Sequence, residues 1–395
     1  MELCRTAVDR VFDQRSMSGA PRHRGWQKCG RLCFQTLSSS LEIIMRYTTF
    51  GRRTGLRVSQ YALGTGNFGT GWGAGASRAE AKAIFDRFVE AGGNFIDTAD
   101  VYQFGQAEQL VGEFIQADRD DLVLATKFAV GPGPRKSLSG TGNGRKNLRV
   151  SVEGSLKRLN TDYIDVLWVH YPDALTPMEE LLRGLDDLVT QGKILHAALS
   201  NFPAWRVSRA VALADAAGWA PLAGVQIEYS LVERSAEREL LPMAEALGLG
   251  VNLWSPLGGG LLTGKYRHGD QGRLTDLKTL IHTESTAQKT AVVDTVLAIA
   301  DEVGSPPAQI ATAWVNERSK ALATSSVPIV GPRDLAQLED YLAALDVELT
   351  ADHIARLNEV SSIDPGVPHA GNASSLNGLQ GGVKKKIDGP DVPVA

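Results

Sequence analysis

The chain of 395 residues has only three cysteines, Cys4, Cys29 and Cys33, all at its N-terminal end. No disulfide can therefore form within the rest of the chain, and a reducing compartment is the simpler setting. Cys29 and Cys33 have no second ligand pair, and the seven histidines include no HxH or HxxxH spacing. No zinc site is expected. An excess of basic charge is missing too, with 41 Lys and Arg against 45 Asp and Glu and a net charge of −4. That balance offers nothing to nucleic acid. Nor does any apolar run approach the ~18 residues that a membrane-spanning helix needs. What remains, at 43% hydrophobic and 22% charged, is the profile of a soluble globular protein with a large core. The expectation is a cytoplasmic protein with neither membrane nor nucleic-acid partner.

Residues 1–44 carry seven Lys and Arg, four Asp and Glu, all the cysteine, and no sustained apolar period. They read as an extension outside the fold. The stretch lacks the apolar h-region of a secretory signal, and Glu2, Asp9 and Asp13 are out of place in a mitochondrial presequence. From Tyr47 the pattern becomes regular, starting with a hairpin of Tyr47–Phe50 and Leu56–Ser59. A strand near Tyr61–Leu63 then leads through a Gly-rich loop to a helix opened by a Ser77–Glu80 capping box. Ala81, Ile84, Phe85, Phe88 and Val89 follow at helical spacing, and Gly92-Gly93 closes the helix.

Further strands are expected at 94–97, 122–126, 164–169, 194–199, 223–227, 250–254 and 326–330. Helices are expected near 107–117, 148–159, 178–190, 205–216, 236–247, 288–303, 307–318, 333–344 and 351–360. Eight short apolar strands, nearly all separated by amphipathic helices, specify a parallel sheet covered on both faces. An open doubly wound sheet usually stops nearer six strands, so the count favours a closed (β/α)8 TIM barrel over residues 45–361. Residues 362–395, rich in Gly, Pro, Ser and Lys, read as a flexible tail. Three long loops, 66–77, 131–147 and 256–286, all follow strands and so belong to the C-terminal face, where barrel active sites lie.

Three successive strands end in chemistry. Phe95-Ile96 delivers Asp97 and, five residues on, Tyr102; the run 122–126 stops at Lys127; the run 164–169 stops at His170. Neighbouring strands lie ~4.8 Å apart, so these four groups can meet in one pocket. Singly, each reads as ordinary rim structure: an ion pair for Asp97 and Lys127, a packed tyrosine, a hydrogen-bonded histidine. Together they form a site that protonates a carbonyl oxygen. A phenol is a poor acid at neutral pH unless a cation stabilises the phenolate, and Lys127 supplies that cation. Burial pushes a lysine toward its neutral form, and Asp97 counters this. His170 then hydrogen-bonds and orients the reacting oxygen, or relays the proton.

The motifs Phe95-Ile96-Asp97-Thr98-Ala99-Asp100-Val101-Tyr102, Ala125-Thr126-Lys127, Val169-His170, Leu199-Ser200-Asn201, Gln226-Ile227-Glu228-Tyr229, Trp254-Ser255-Pro256-Leu257 and Gly331 to Gln337 resemble those of the aldo-keto reductase family. The likeness runs from about Met45 to Ser361. It implies a barrel that binds NADP(H) across its C-terminal face and reduces an aldehyde or ketone, with Asp97, Tyr102, Lys127 and His170 as catalytic tetrad. By the same resemblance Ser200, Asn201 and Gln226 hold the nicotinamide carboxamide, and Trp254 stacks on the nicotinamide ring. Ser255, Leu257, Gly331, Arg333 and Gln337 join the cofactor contacts. Where the family usually has an asparagine further along the last of these segments, this chain has Tyr341.

Gly64-Thr65-Gly66-Asn67-Phe68-Gly69 spells the G-x-G-x-x-G of open-sheet dinucleotide folds, but there a helix must open at the last glycine. Here the helix cap is Ser77, so 66–77 reads as a substrate-side loop, with Gly64 to Asn67, Thr65 among them, near the cofactor pyrophosphate. Gly331-Pro332-Arg333 opens a helix after the eighth barrel strand, where a phosphate site is expected, and Arg333 suits the 2′-phosphate of NADPH. Trp72, Leu257, Leu261, Leu262 and Tyr266 suggest an apolar or aromatic pocket. Two other readings remain at this point. One is a regulatory or channel-associated subunit that keeps fold and cofactor; the other is a lyase that uses Lys127 as a Schiff base.

Overall fold

The structure, a computed structural model, describes residues 45–268 and 282–394. Strands β1 (Tyr47–Thr49) and β2 (Arg57–Ser59) pair antiparallel, and the turn between them starts at Phe50. Phe50 is fully buried and plugs the N-terminal end of the barrel, meeting Phe95 and Trp168 edge-on at 5.7 and 6.2 Å. Gly224 and Gly250 make room for it. A Cβ on either would lie 2.6–2.8 Å from the Phe50 ring.

Eight parallel strands form the closed barrel: β3 (Ala62–Gly64), β4 (Phe95–Asp97), β5 (Val123–Phe128), β6 (Ile164–Val169), β7 (Ile194–Ser200), β8 (Leu222–Glu228), β9 (Gly250–Trp254) and β10 (Ser326–Val330), with β10 closing on β3. Side chains alternate along each strand. One set, including Ala62, Phe95, Val123, Val166, Trp168, Val327 and Ile329, fills the interior, while the other packs outward on the helices. Burial on both sides explains why these strands read as unbroken apolar runs. It also determines what happens at their ends, where the inward-pointing polar groups sit on a packed floor.

The helices are α1 (Arg78–Glu90), α2 (Gln106–Phe114), α3 (Arg145–Leu159), α4 (Met178–Thr190), α5 (Ala204–Ala217), α6 (Leu240–Leu247), α7 (Ala287–Val303), α8 (Pro307–Lys320), α9 (Leu335–Ala343), α10 (Ala351–Val360) and α11 (His369–Leu379). The expected capping box opens α1, with Ser77 N–H donating to Glu80 Oε2 at 2.8 Å and Glu80 N–H to Ser77 Oγ at 3.3 Å. The barrel with its N-terminal hairpin is thus the expected fold. Differences are local. The helix expected from 236 begins at Leu240 after a separate 3-10 turn, and residues 362–394 contain α11, which has no buried residue. Residues 1–44 and the middle of loop 256–286 lie outside the described residues. Among those described, no helix is long and apolar enough to cross a membrane, and no group of three His, Cys, Asp or Glu could hold a metal ion.

Candidate active site

Lys127 projects into the C-terminal end of the barrel from β5 and is 1% exposed. Its ammonium has three acceptors: the Asp97 carboxylate, Thr98 O at 3.0 Å and Tyr102 Oη at 3.0 Å. Burial alone lowers a lysine's pKa, but here the Asp97 charge and the Tyr102 hydroxyl outweigh it and hold the pKa above its ordinary value. Lys127 is therefore a cation. Asp97, 2% exposed at the end of β4, is satisfied on its other oxygen by Gln226 Nε2 at 2.9 Å. Lys127 also lies 4.7 Å from the centre of the Tyr102 ring. A buried pair of this kind contributes little net stability, because desolvation offsets attraction. Its effect is to place a positive charge beside one hydroxyl.

His170 follows β6, and its ring sits edge-on to Tyr102 at 6.0 Å and stacked on Tyr171 at 4.6 Å. Burial, then the Lys127 charge, pushes its pKa well below the ordinary histidine value, so the imidazole is neutral at neutral pH. Its Nδ1 is buried with no hydrogen-bond partner among the described residues. A neutral imidazole can donate a hydrogen bond to an oxygen without competing for the proton. The four residues expected to act together are thus side by side.

A cleft of about 790 Å³ opens over them, lined among others by Gly64, Asp97, Tyr102, His170, Asn201, Gln226, Trp254, Ser255, Leu257, Gly331, Arg333 and Gln337. Lys127, Thr65 and Ser200 lie behind its wall. Thr65 Oγ1 donates to Asp97 O at 3.1 Å, and Ser200 Oγ accepts from Asn201 Nδ2 at 3.1 Å, so both support residues that line the cleft. Asn201 also donates to His170 O at 3.0 Å and accepts from Trp254 Nε1 at 3.2 Å. Both Asn201 and Ser255 have left-handed backbones, with φ of 60° and 62°, which aim β7 and β9 out of the barrel wall at this level. Gly64 packs against β10, where a Cβ would meet Ile329 Cγ2 at 2.7 Å. The helix α1 opens at Arg78, well past Gly69, so the glycine string forms a loop and not a strand-to-helix phosphate turn.

Of the other residues lining the cleft, Asn67 was expected near the pyrophosphate and Tyr341 at the position of the family's asparagine, while Tyr171 and Asp340 were not anticipated. Asn67 bridges the loops after β3 and β10 by donating to Gly331 O at 2.9 Å. Tyr171, Asp340 and Tyr341 also line the cleft. Neither Tyr171 nor Asp340 carried a signal of its own in the sequence.

The family model described as the Aldo/keto reductase family matches residues 61–362. Norsolorinic acid reductase of Aspergillus flavus is 35% identical over 323 residues, 80% of each chain. A putative aryl-alcohol dehydrogenase of Saccharomyces cerevisiae is 33% identical over 357 residues, 87% of this chain and 92% of the other. An uncharacterized oxidoreductase of Bacillus subtilis is 36% identical over 330 residues, 80% of this chain and 96% of the other. The match spans every barrel strand and all four of the converging residues, and the chain belongs to the aldo/keto reductase family of oxidoreductases.

Proposed function

We propose that this chain reduces an aldehyde or ketone to the alcohol, with hydride from NADPH and a proton from Tyr102. One observation carries the reading: the Lys127 ammonium is bonded at once to the Asp97 carboxylate and to the Tyr102 hydroxyl at 3.0 Å. Proton loss from Tyr102 leaves a phenolate beside a fixed cation, so the charge that develops during transfer is already compensated. His170, neutral and buried against the same space, directs an N–H at the carbonyl oxygen and holds it within reach of Tyr102. The same geometry argues against a Schiff-base role for Lys127. An amine must be neutral to attack a carbonyl, and this one is kept protonated by two neighbours.

The residues present fit a nicotinamide dinucleotide. Gln226 uses its N–H on Asp97 and keeps a carbonyl oxygen for an incoming amide. Asn201, whose Nδ2 is engaged by His170 O and Ser200 Oγ, keeps a second lone pair on the Oδ1 that accepts from Trp254, and the Trp254 indole offers a flat face. Arg333 and Gln337 line the far end of the cleft, where a guanidinium can pair bidentately with a 2′-phosphate. The bound cofactor supplies the hydride. The names of the relatives, a reductase and an aryl-alcohol dehydrogenase, agree with carbonyl chemistry of this kind. The test is NADPH oxidation across a panel of aldehydes, ketones and quinones. Turnover on at least one class is expected, and none on any of them overturns the reading.

A further inference from the structure

Two glutamine side chains join the loop after β3 to the turn that follows Tyr102. Gln103 is 2% exposed and its carboxamide is fully engaged: Nε2 donates to Gly66 O and Ala74 O, each at 3.1 Å, and Oε1 accepts from Trp72 N at 2.8 Å. Gln106 Oε1, at the start of α2, accepts from Thr70 N at 2.7 Å and Gly71 N at 3.1 Å. The loop is shaped to these contacts. A Cβ on Gly69 would lie 2.4 Å from Gln106 Oε1, and one on Gly71 would lie 2.5 Å from Gln103 O. The turn itself is strained, with Gln103 and Phe104 at φ of 50° and 56°. Non-glycine residues keep such a backbone only where surrounding contacts over-determine it. The result is a fixed Trp72, edge-on to Tyr102 at 6.1 Å and to Phe104 at 6.4 Å, on the wall of the cleft.

We infer that Gln103 is a positioning residue whose carboxamide holds Trp72 as a rigid wall beside the Tyr102 ring, and that this wall selects planar aryl carbonyl substrates over aliphatic ones. The inference rests on the carbonyl-reductase reading. A flat ring bearing a carbonyl gains aromatic contact with Trp72 while its oxygen reaches Tyr102, whereas an alkyl chain gains little beyond burial. The gain depends on the wall standing still. Without Gln103 the Gly66 and Ala74 carbonyls and the Trp72 N–H lose their partner, and the glycines on either side let the segment move.

The full-length protein and its Gln103→Ala, Gln103→Glu, Trp72→Ala and Gln103→Ala/Trp72→Ala variants are compared with benzaldehyde and propanal. The ratio of kcat/KM for benzaldehyde over propanal falls about tenfold in Gln103→Ala and in Trp72→Ala, the double variant falls no further, and NADPH affinity of Gln103→Ala stays within about twofold. Gln103→Glu, which keeps the acceptor for Trp72 N–H but loses both donors, falls between. Equal losses on both aldehydes, additive losses in the double variant, or weakened NADPH binding would make Gln103 a general support of the fold and overturn the inference. If the unmodified protein reduces neither aldehyde, the functional reading fails by itself. The clamp is then judged by acrylamide quenching of the fluorescence lost on Trp72→Phe: quenching of that component rises in Gln103→Ala if the clamp holds Trp72, and unchanged quenching refutes it.

Discussion

Asparagine in place of Asp100 tests whether the turn that presents Tyr102 is built at a loss of stability. Asp100 is fully buried between Asp97 and Tyr102, and its backbone N–H donates to Lys127 O at 3.0 Å. Among the described residues neither carboxylate oxygen has a partner in hydrogen-bonding geometry. Burial, and then the charge of Glu108, raises its pKa from 3.8 to about 7, while Arg158, Lys136 and the Gly131 amide offset only part of that rise. At ~1.36 kcal/mol per pH unit this is a penalty on the order of 4 kcal/mol on the ionised form. The unfolded chain gives up the proton near 3.8 and the folded chain only near 7, so stability falls as pH rises through that window and stays low above it. Asparagine cannot ionise. Burying its amide costs ~1–3 kcal/mol at every pH, so the informative quantity is the change in the difference between variant and parent. Urea denaturation of both proteins near pH 4.5 and near pH 8 should show Asp100→Asn gaining about 2–4 kcal/mol on the parent between the two. A pH-independent difference, or a relative loss toward pH 8, would mean that Arg158 and Lys136 stabilise the ionised carboxylate on balance, and the reasoning would be wrong.

Tyr102→Phe should lower carbonyl reduction by roughly 10²–10⁴ and leave NADPH affinity nearly intact, as it removes the proton donor and one acceptor of Lys127 but little cofactor contact. Stopped-flow turnover with parallel fluorescence titration checks this, and near-normal turnover with chemistry rate-limiting would remove Tyr102 from its role. Arg333→Ala should weaken NADPH about ten- to a hundredfold and NADH far less, the loss expected for one charge-assisted pair. Equal losses in titration would assign Arg333 to a shared part of the dinucleotide or to the fold. A chain beginning at Met45 should match the full chain in melting temperature, NADPH affinity and turnover, since Met45 is itself buried and its N–H donates to Ala91 O at 3.1 Å, so barrel packing starts there. A drop of several degrees would give residues 1–44 a docking role on the barrel.

The barrel was legible because its signals are local and repeated. Burial on both faces makes each strand a short apolar run, and each helix announces itself by period and by caps such as Ser77 with Glu80. The charged core of the site was legible for a related reason: Asp97 ends β4 in register with Ala125 of β5, and Lys127 lies two residues further on the same face of that adjacent strand, so the two meet. Contacts that depend on how two loops fold over each other left no such trace. Ser200 reads from its place in the motif as a cleft residue, yet it lies beneath Asn201 as that residue's acceptor. Gln103 sits next to Tyr102 in sequence and reads as an ordinary loop residue, because its partners Gly66, Trp72 and Ala74 are defined only once loop 66–77 has closed.

Backbone strain follows the same division. Glycine strings drew attention to 64–69, where the chain merely turns, but the costly conformations fall on residues with side chains. Among the described residues, Gln103, Phe104, Ala129, Ala174, Asn201 and Ser255 all have positive φ, and each lies just beyond the C-terminal end of a barrel strand. The remaining example, Asn160, caps α3, where a left-handed residue is ordinary. Apart from Asn201, whose residue type tolerates this region, nothing in the local sequence at those positions favours a left-handed backbone as glycine would. They are held by tertiary contacts instead: Gln103 by three loop groups, Asn201 by His170 O and Trp254. Stability drawn from the packed barrel is thus placed as strain at the one face where side chains must converge, and such strain is invisible until the fold that supports it is complete.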